Sequence, residues 1–237
     1  MTTFATAAPG PATWALLALD LVGVFVFGLS GGLTAVRQRF DLFGVLVLAC
    51  AAGLGGGVLR DLLIGAVPPV GISDARLFGA ACAAGLVTFF LHPRVSRIRR
   101  TVTLLDAVGL GVFAVAGTYK ALGLGTSVLA AVVVGVLTGI GGGAIRDLLS
   151  GRVPEVLVQS ELYATPAVLG AIAFATAWRL DVVSAPVTVG CVVLVVVVRV
   201  WALRFKVVAP TPRTPRDAGP AGDGVGDGVG DGTDETP

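Results

Sequence analysis

Six ionisable side chains stand inside long apolar runs of this 237-residue chain: Asp20, Arg60, Asp61, Asp106, Arg146 and Asp147. A charge at the centre of a bilayer costs about 2.5–3.5 kcal/mol on insertion scales, so each should face protein or water and be paired. Within each Arg-Asp dipeptide the two side chains leave a helix about 100° apart. That spacing favours partners on other helices over each other. Each Arg is therefore expected to pair with an Asp from the first helix of a repeat or from the other half of the chain. The chemistry open to such a set is either a structural ion-pair network or a hydrophilic pathway. In a pathway the arginines limit passage and the carboxylates attract cations, so the carboxylates matter more for permeation than for folding.

Enzymatic chemistry finds little support. The chain has one histidine and no G-x-S-x-G, so a nucleophilic triad is not expected. Gly139-x-Gly141-x-x-Ala144 has the form of a dinucleotide fingerprint, but it lies inside an apolar span and not after a strand. No GK[ST] follows the glycines. Cys50, Cys82 and Cys191 are distant in sequence and lie in apolar runs, which points to small apolar packing residues and away from a disulfide framework or zinc site. No cofactor and no resident metal are expected.

The charged residues sit in a duplication. Gly55-Gly56-Gly57-Val58-Leu59-Arg60-Asp61-Leu62-Leu63-Ile64-Gly65-Ala66-Val67-Pro68 returns 86 residues later as Gly141-Gly142-Gly143-Ala144-Ile145-Arg146-Asp147-Leu148-Leu149-Ser150-Gly151-Arg152-Val153-Pro154, with 10 of 14 positions identical. The same offset aligns Asp20 with Asp106, Gly23 with Gly109, Phe27 with Phe113 and Gly31 with Gly117. The triple glycines fall inside long helices, where each costs about 1 kcal/mol against Ala. Two explanations are open. The helix breaks there and lines an ion pathway through Gly55, Gly56, Gly57, Gly141, Gly142 and Gly143. Alternatively, small residues at Gly53/Gly57 and Gly135/Gly139/Gly143 let helices pack closely. Pro68 and Pro154 mark the ends of these helices, and Pro166 is a candidate kink.

The elements that position these residues are membrane spans. Hydrophobic residues make up 55% of the chain and charged residues 14%, against about 25% charged in a soluble domain. Mean hydropathy is +0.90. This composition argues against a soluble, nucleic-acid-binding or disordered protein. Seven spans are expected, near 12–36, 42–66, 75–91, 103–120, 121–149, 161–178 and 182–202. They group as an N-terminal tail (1–11), a first three-helix repeat (12–93), a second (101–179), a seventh helix (182–206) and a disordered Pro/Gly/Asp-rich tail (207–237). Three spans per copy make the repeats inverted, with the site near the midplane. Residues 1–13 lack the basic start of a cleavable leader.

Eleven basic residues, in the loops after spans one, three and five and in the C-terminal flank, share one side. Only Arg76, Lys120 and Arg179 lie on the other. The positive-inside rule then places the N-terminus outside and the C-terminus in the cytoplasm of a cell membrane. Trp14, Tyr119, Tyr163, Trp178 and Trp201 fall near span ends, where amphipathic rings favour the interface. His92 and Lys120 read as interfacial residues, with Lys120 snorkelling.

The paired GGGxxRDLLxGxVP motifs, the Asp in each first helix and the three-plus-three-plus-one layout resemble the prokaryotic trimeric intracellular cation (TRIC) channel family. Related sequences are labelled UPF0126 or glycine transporter domain proteins. The resemblance covers about residues 14–202 and implies an all-α integral membrane protein. It also implies a homotrimer in the lipid bilayer, with one pore per subunit between the repeats, conducting potassium or other monovalent cations. A secondary transporter of a small solute such as glycine is the alternative. The charged lysine motif of animal members is absent from 141–147, so their gating properties are not implied.

Overall fold

A computed structural model describes residues 11–95, 99–157 and 162–205. These residues form eight α-helices: α1 (Pro11–Arg37), α2 (Leu42–Leu63), α3 (Val70–Ser73), α4 (Ala75–Val95), α5 (Arg99–Gly123), α6 (Val128–Leu149), α7 (Ala164–Arg179) and α8 (Ala185–Phe205). A 3-10 turn covers Glu155–Leu157. The expected tails, Arg97 and the side chains of His92, Arg94, Arg99 and Arg100 lie outside the described residues.

Among the described residues, five helices are long and apolar enough to cross a membrane: Trp14–Arg37, Leu42–Leu63, Thr101–Gly123, Val128–Leu149 and Ala185–Phe205. The apolar stretch of α4, Ala75–Leu91, is shorter. α7, at 16 residues, rises only about 24 Å.

The central helices α2 and α6 are built alike. Asp41 caps α2 by accepting a hydrogen bond from the Gly44 N–H at 2.7 Å, and Ser127 caps α6 by accepting from the Ala130 N–H at 3.2 Å. Both helices end on a left-handed glycine, Gly65 (φ 70°) and Gly151 (φ 69°). There the Ala66 and Arg152 N–H groups turn back onto the carbonyls of Asp61 and Asp147 at 2.8 and 2.9 Å. The Gly of each DLLxG motif is thus a helix stop. Pro166 is the third residue of α7, in the first turn where its missing N–H has no intrahelical partner, so it starts that helix without kinking it.

The expected break at the triple glycines is not present. α2 and α6 run as continuous helices through Gly55–Gly57 and Gly141–Gly143. The glycines serve close approach instead. A β-carbon on Gly142 would lie 2.5 Å from the Ala52 carbonyl oxygen, and one on Gly56 would collide with the Thr138 carbonyl oxygen. Each glycine meets the other helix at the residue four positions before the partner glycine. Gly53 likewise lets α2 onto α1 at Val24, and Gly139 lets α6 onto α5 at Leu110. Removing Cβ allows backbone contact that offsets the poor helix propensity of glycine.

Equivalent residues of the two copies also face one another between α1 and α5. Phe27 and Phe113 stack with centroids 5.6 Å apart and planes at 16°. Gly23 makes room for the Phe113 ring, and Gly109 makes room for the Phe27 ring. Gln38, just beyond α1, donates to the Ser150 carbonyl beyond α6 at 2.8 Å. Lys120, in the last turns of α5, shares a cavity with Trp14, Leu16 and Leu17 at the start of α1. α1 and α5 therefore run in opposite directions.

These contacts separate the glycines by role. Gly56→Ala and Gly142→Ala are expected to destabilise the protein by about 1–3 kcal/mol, as overpacking does. Gly57→Ala, whose added carbon would have the Arg60 guanidinium at 3.9 Å as its nearest neighbour, should be neutral or stabilising by up to about 1 kcal/mol. Thermal unfolding in detergent measures the difference. Equal losses at Gly56 and Gly57 would contradict the contact assignment.

Candidate functional site: two buried arginine–carboxylate clusters

The first cluster joins α1 and α2. Arg60 is buried, and its Nη1 and Nη2 donate to Asp20 Oδ1 and Oδ2 at 2.7 and 3.1 Å. Its Nε donates to Asp61 Oδ1 at 2.8 Å. Asp61, also fully buried, accepts the Val70 N–H on Oδ2 at 2.9 Å and so holds the first turn of α3. Lys120 adds its ammonium to Asp61 Oδ1 at 2.7 Å.

The second cluster repeats this plan on α5 and α6. Arg146 Nη1 donates to Asp106 Oδ1 at 2.8 Å, and its Nε donates to Asp147 Oδ1 at 2.9 Å. Asp147 Oδ2 accepts the Glu155 N–H at 3.1 Å and so holds the 3-10 turn. Here Arg146 Nη1 also meets the Ser30 hydroxyl of α1, at 2.6 Å. That bond ties the second cluster to the first copy, as Lys120 ties the first cluster to the second.

Pairing of each Arg with the Asp of its own first helix is thus as expected. Avoidance of the neighbouring Asp is not. The guanidinium is long enough to fold back so that Nε reaches the adjacent carboxylate while Nη atoms, both of them in Arg60 and Nη1 alone in Arg146, reach across to the other helix. Charge-assisted bonds of this kind are about twice as strong as neutral ones. They also answer the desolvation that a single buried charge would suffer.

Several residues of these clusters escaped sequence reasoning. Lys120 does not snorkel free, because it is bound to Asp61. Tyr163 is buried and not interfacial: its ring lies under the Arg199 guanidinium, 4.7 Å from centroid to Cζ. Tyr119, half-buried, packs on Phe174 and on Trp178, whereas Trp14 and Trp201 are exposed. Arg199 of α8 is fully buried, donates to the Leu162 carbonyl at 3.2 Å and stands 3.7 Å from Glu155. Its signal was a lone charge within the valine-rich run of the last span. Burial, with Asp106 nearby, pushes the Glu155 carboxyl above the usual carboxylate range. Cys50 and Cys82, distant in sequence, touch at 3.7 Å between α2 and α4.

The family described as Glycine transporter matches the chain twice, over residues 17–93 and 103–179. A UPF0126 membrane protein of Deinococcus radiodurans is 46% identical over 154 residues, 65% of this chain and 72% of that protein. The UPF0126 inner membrane protein YadS of Escherichia coli is 37% identical over 195 residues, 81% of this chain and 94% of that one. Among solved structures, the TRIC trimeric intracellular cation channel orthologue from Rhodobacter sphaeroides is 34% identical. It superposes with a TM-score of 0.76 over 81% of this chain and 99% of its own. A structure reported for conductance through TRIC cation channels is also 34% identical, with a TM-score of 0.75 over 83% and 97% of the two chains. The chain belongs to the TRIC/UPF0126 family and is an all-helical membrane protein.

The pairing predicts a pattern of losses. Arg60→Gln strands Asp20 in the interior and should cost about 3–5 kcal/mol. Adding Asp20→Asn should recover a large part of it, because Lys120 still serves Asp61. Denaturant unfolding in micelles reads the coupling, and purely additive losses would contradict the pair.

Proposed function

We propose that this chain is one subunit of a homotrimeric channel that conducts potassium or other monovalent cations, with one pore per subunit between the two copies. The observation that carries this reading is the pair of matching buried arginine–carboxylate clusters, each tied to the opposite copy. They occur in a fold shared with TRIC cation channels at 34% identity. α1, α2, α4, α5, α6, α7 and α8 are the seven spans. The copies are inverted about an axis in the membrane plane. The opposite directions of α1 and α5, and the reciprocal contacts at Gly23/Phe113 and Gly109/Phe27, support this. The N-terminus lies outside and the C-terminus in the cytoplasm of the cell membrane, on the distribution of basic residues.

In this scheme the carboxylates make the seam favourable to cations, and the arginines bound to them keep it from trapping one. Asp20, Asp61, Asp106 and Asp147 set the sign of the permeant ion. Arg60, Arg146 and the tethered ammonium of Lys120 limit the rate. Gly56 and Gly142 hold α2 and α6 together at the centre of the seam, and opening requires the two helices to part there.

Planar-bilayer recording of the purified protein tests the reading. Unitary currents that reverse near the potassium equilibrium potential, with flux that scarcely saturates, are expected. Lys120→Gln removes one positive charge from the path. An ion passing within about 4 Å in water would gain roughly 1 kcal/mol, so conductance should rise by up to about fivefold. Saturable uptake of a small solute coupled to an ion gradient would instead favour a transporter of the kind the family description names. Absence of any flux would contradict both.

A further inference from the structure

A cavity of about 370 Å³ lies between the start of α6 and the end of α7. It is remote from the charge clusters, since Arg146 stands at the other end of α6. Val128 and Val132 wall it on the α6 side, and Ile172 and Ala175 on the α7 side. Arg179 and Leu180 border it at the helix end. Ile172 and Leu180 are exposed, so the cavity opens to the surface of the molecule. Between them α7 rises about 12 Å. Thr176 also lines the cavity, but its hydroxyl donates to the Ile172 carbonyl at 2.9 Å and is satisfied within its own helix.

The first copy carries aromatic rings at the matching positions. The 86-residue offset aligns Phe89 with Ala175, Phe90 with Thr176 and Pro93 with Arg179. Phe89 packs on the cluster of Ala35, Val45 and Leu48, and the Phe89 and Phe90 rings meet edge to face at 5.3 Å. The second copy has small side chains where those rings would stand, and it adds a cation at the rim. Of the three cations that the sequence places on this side, Arg76 is bound to Asp74 and Lys120 to Asp61, each at 2.7 Å. Among the described residues Arg179 has no ion pair, not even with Asp181 two residues on. An apolar trough that ends on an unpaired guanidinium is complementary to an amphiphile with an acidic head.

We propose that this cavity seats an anionic glycerophospholipid, with one acyl chain along Val132 and Ala175, where the first copy has its phenyl rings, and the phosphodiester on Arg179. A planar guanidinium can give two parallel N–H bonds to phosphate oxygens. Burial of the chain favours no particular lipid, because the bilayer is as apolar as the trough. Selectivity therefore comes from the head group, and the trough fixes where the chain lies. A free phosphate would leave the apolar walls unfilled. The inference goes beyond the channel reading and does not need it. The orientation of the chain decides only which leaflet supplies the lipid.

The test is thermal unfolding of the purified full chain in a neutral detergent at fixed ionic strength, with dioleoylphosphatidylglycerol, dioleoylphosphatidylcholine or glycerol phosphate added. Phosphatidylglycerol should raise the midpoint saturably, phosphatidylcholine should act about fivefold more weakly, and glycerol phosphate should have no effect. Arg179→Gln should weaken the apparent affinity for phosphatidylglycerol about fivefold, the usual contribution of one basic residue beside an anionic head group. Arg179→Lys keeps the charge and should retain most of the difference between the two lipids. Ala175→Phe returns a ring of the first copy and should reduce the phosphatidylglycerol response with Arg179 intact. Thr176→Phe, at an exposed position, gives the same reading where Ala175→Phe fails to fold. The proposal is overturned by equal responses to the two lipids, which would mean neutral annular contact. A full response to glycerol phosphate, or a response that survives both Arg179→Gln and the filling variants, would overturn it as well. So would loss of the oligomer in the filling variants, which would mean that a second copy occupies the groove. No current is read, so failure of the channel reading leaves the lipid seat standing, and a protein blind to phosphatidylglycerol leaves the channel reading standing.

Discussion

A guanidinium buried among apolar helices must be surrounded by carboxylates, and in this molecule that requirement sets where the helices meet. Arg60 fixes α1 to α2 through Asp20, and Arg146 fixes α5 to α6 through Asp106. The dipeptide partners Asp61 and Asp147 then reach onward. Their second oxygens hold the first N–H groups of the short helical segments that follow Pro68 and Pro154. One dipeptide therefore positions three pieces of chain: its own helix, the first helix of its copy and the connecting segment. Removing any member leaves a charge where the surroundings cannot solvate it.

The copies are held to each other by different means. Small residues do most of it: Gly56 and Gly142 let α2 and α6 touch along their backbones, while Gly23 and Gly109 admit the Phe27–Phe113 stack. In lipid, where burial of apolar groups favours no particular partner, close packing of this sort and polar contacts supply the association. The polar contacts break the symmetry. Lys120 crosses to Asp61, where the other copy has Ser30 crossing to Arg146. α8 packs on α5 and α7 of the second copy and adds Arg199 over Tyr163. Duplication supplied two equal clusters, and residues outside the motif made them unequal.

Much of this was legible in the chain. The 86-residue offset located both clusters. The cost of intramembrane charge named Asp20 and Asp106 as partners of the arginines before any contact was known. Packing and helix breaking left different traces only in three dimensions, because a run of glycines serves either. The intact helices decide for packing. Lys120 and Tyr163 were illegible for a common reason: a charged or amphipathic residue near a span end reads as interfacial. Whether it instead turns inward depends on which helix lies beside it. The Cys50–Cys82 contact was hidden in the same way, since sequence distance says nothing about neighbours across α2 and α4.

The claim on which function turns is that the seam between the copies is reached by water. Modification of introduced thiols tests it most directly. In a background with all three native cysteines replaced by Ala, Lys120→Cys should react with a small charged methanethiosulfonate supplied from the aqueous phase, and the reaction should reduce current. Leu129→Cys, on an exposed apolar face of α6, should not react. An unreactive thiol at position 120, or equal reaction at both positions, would contradict a wet seam.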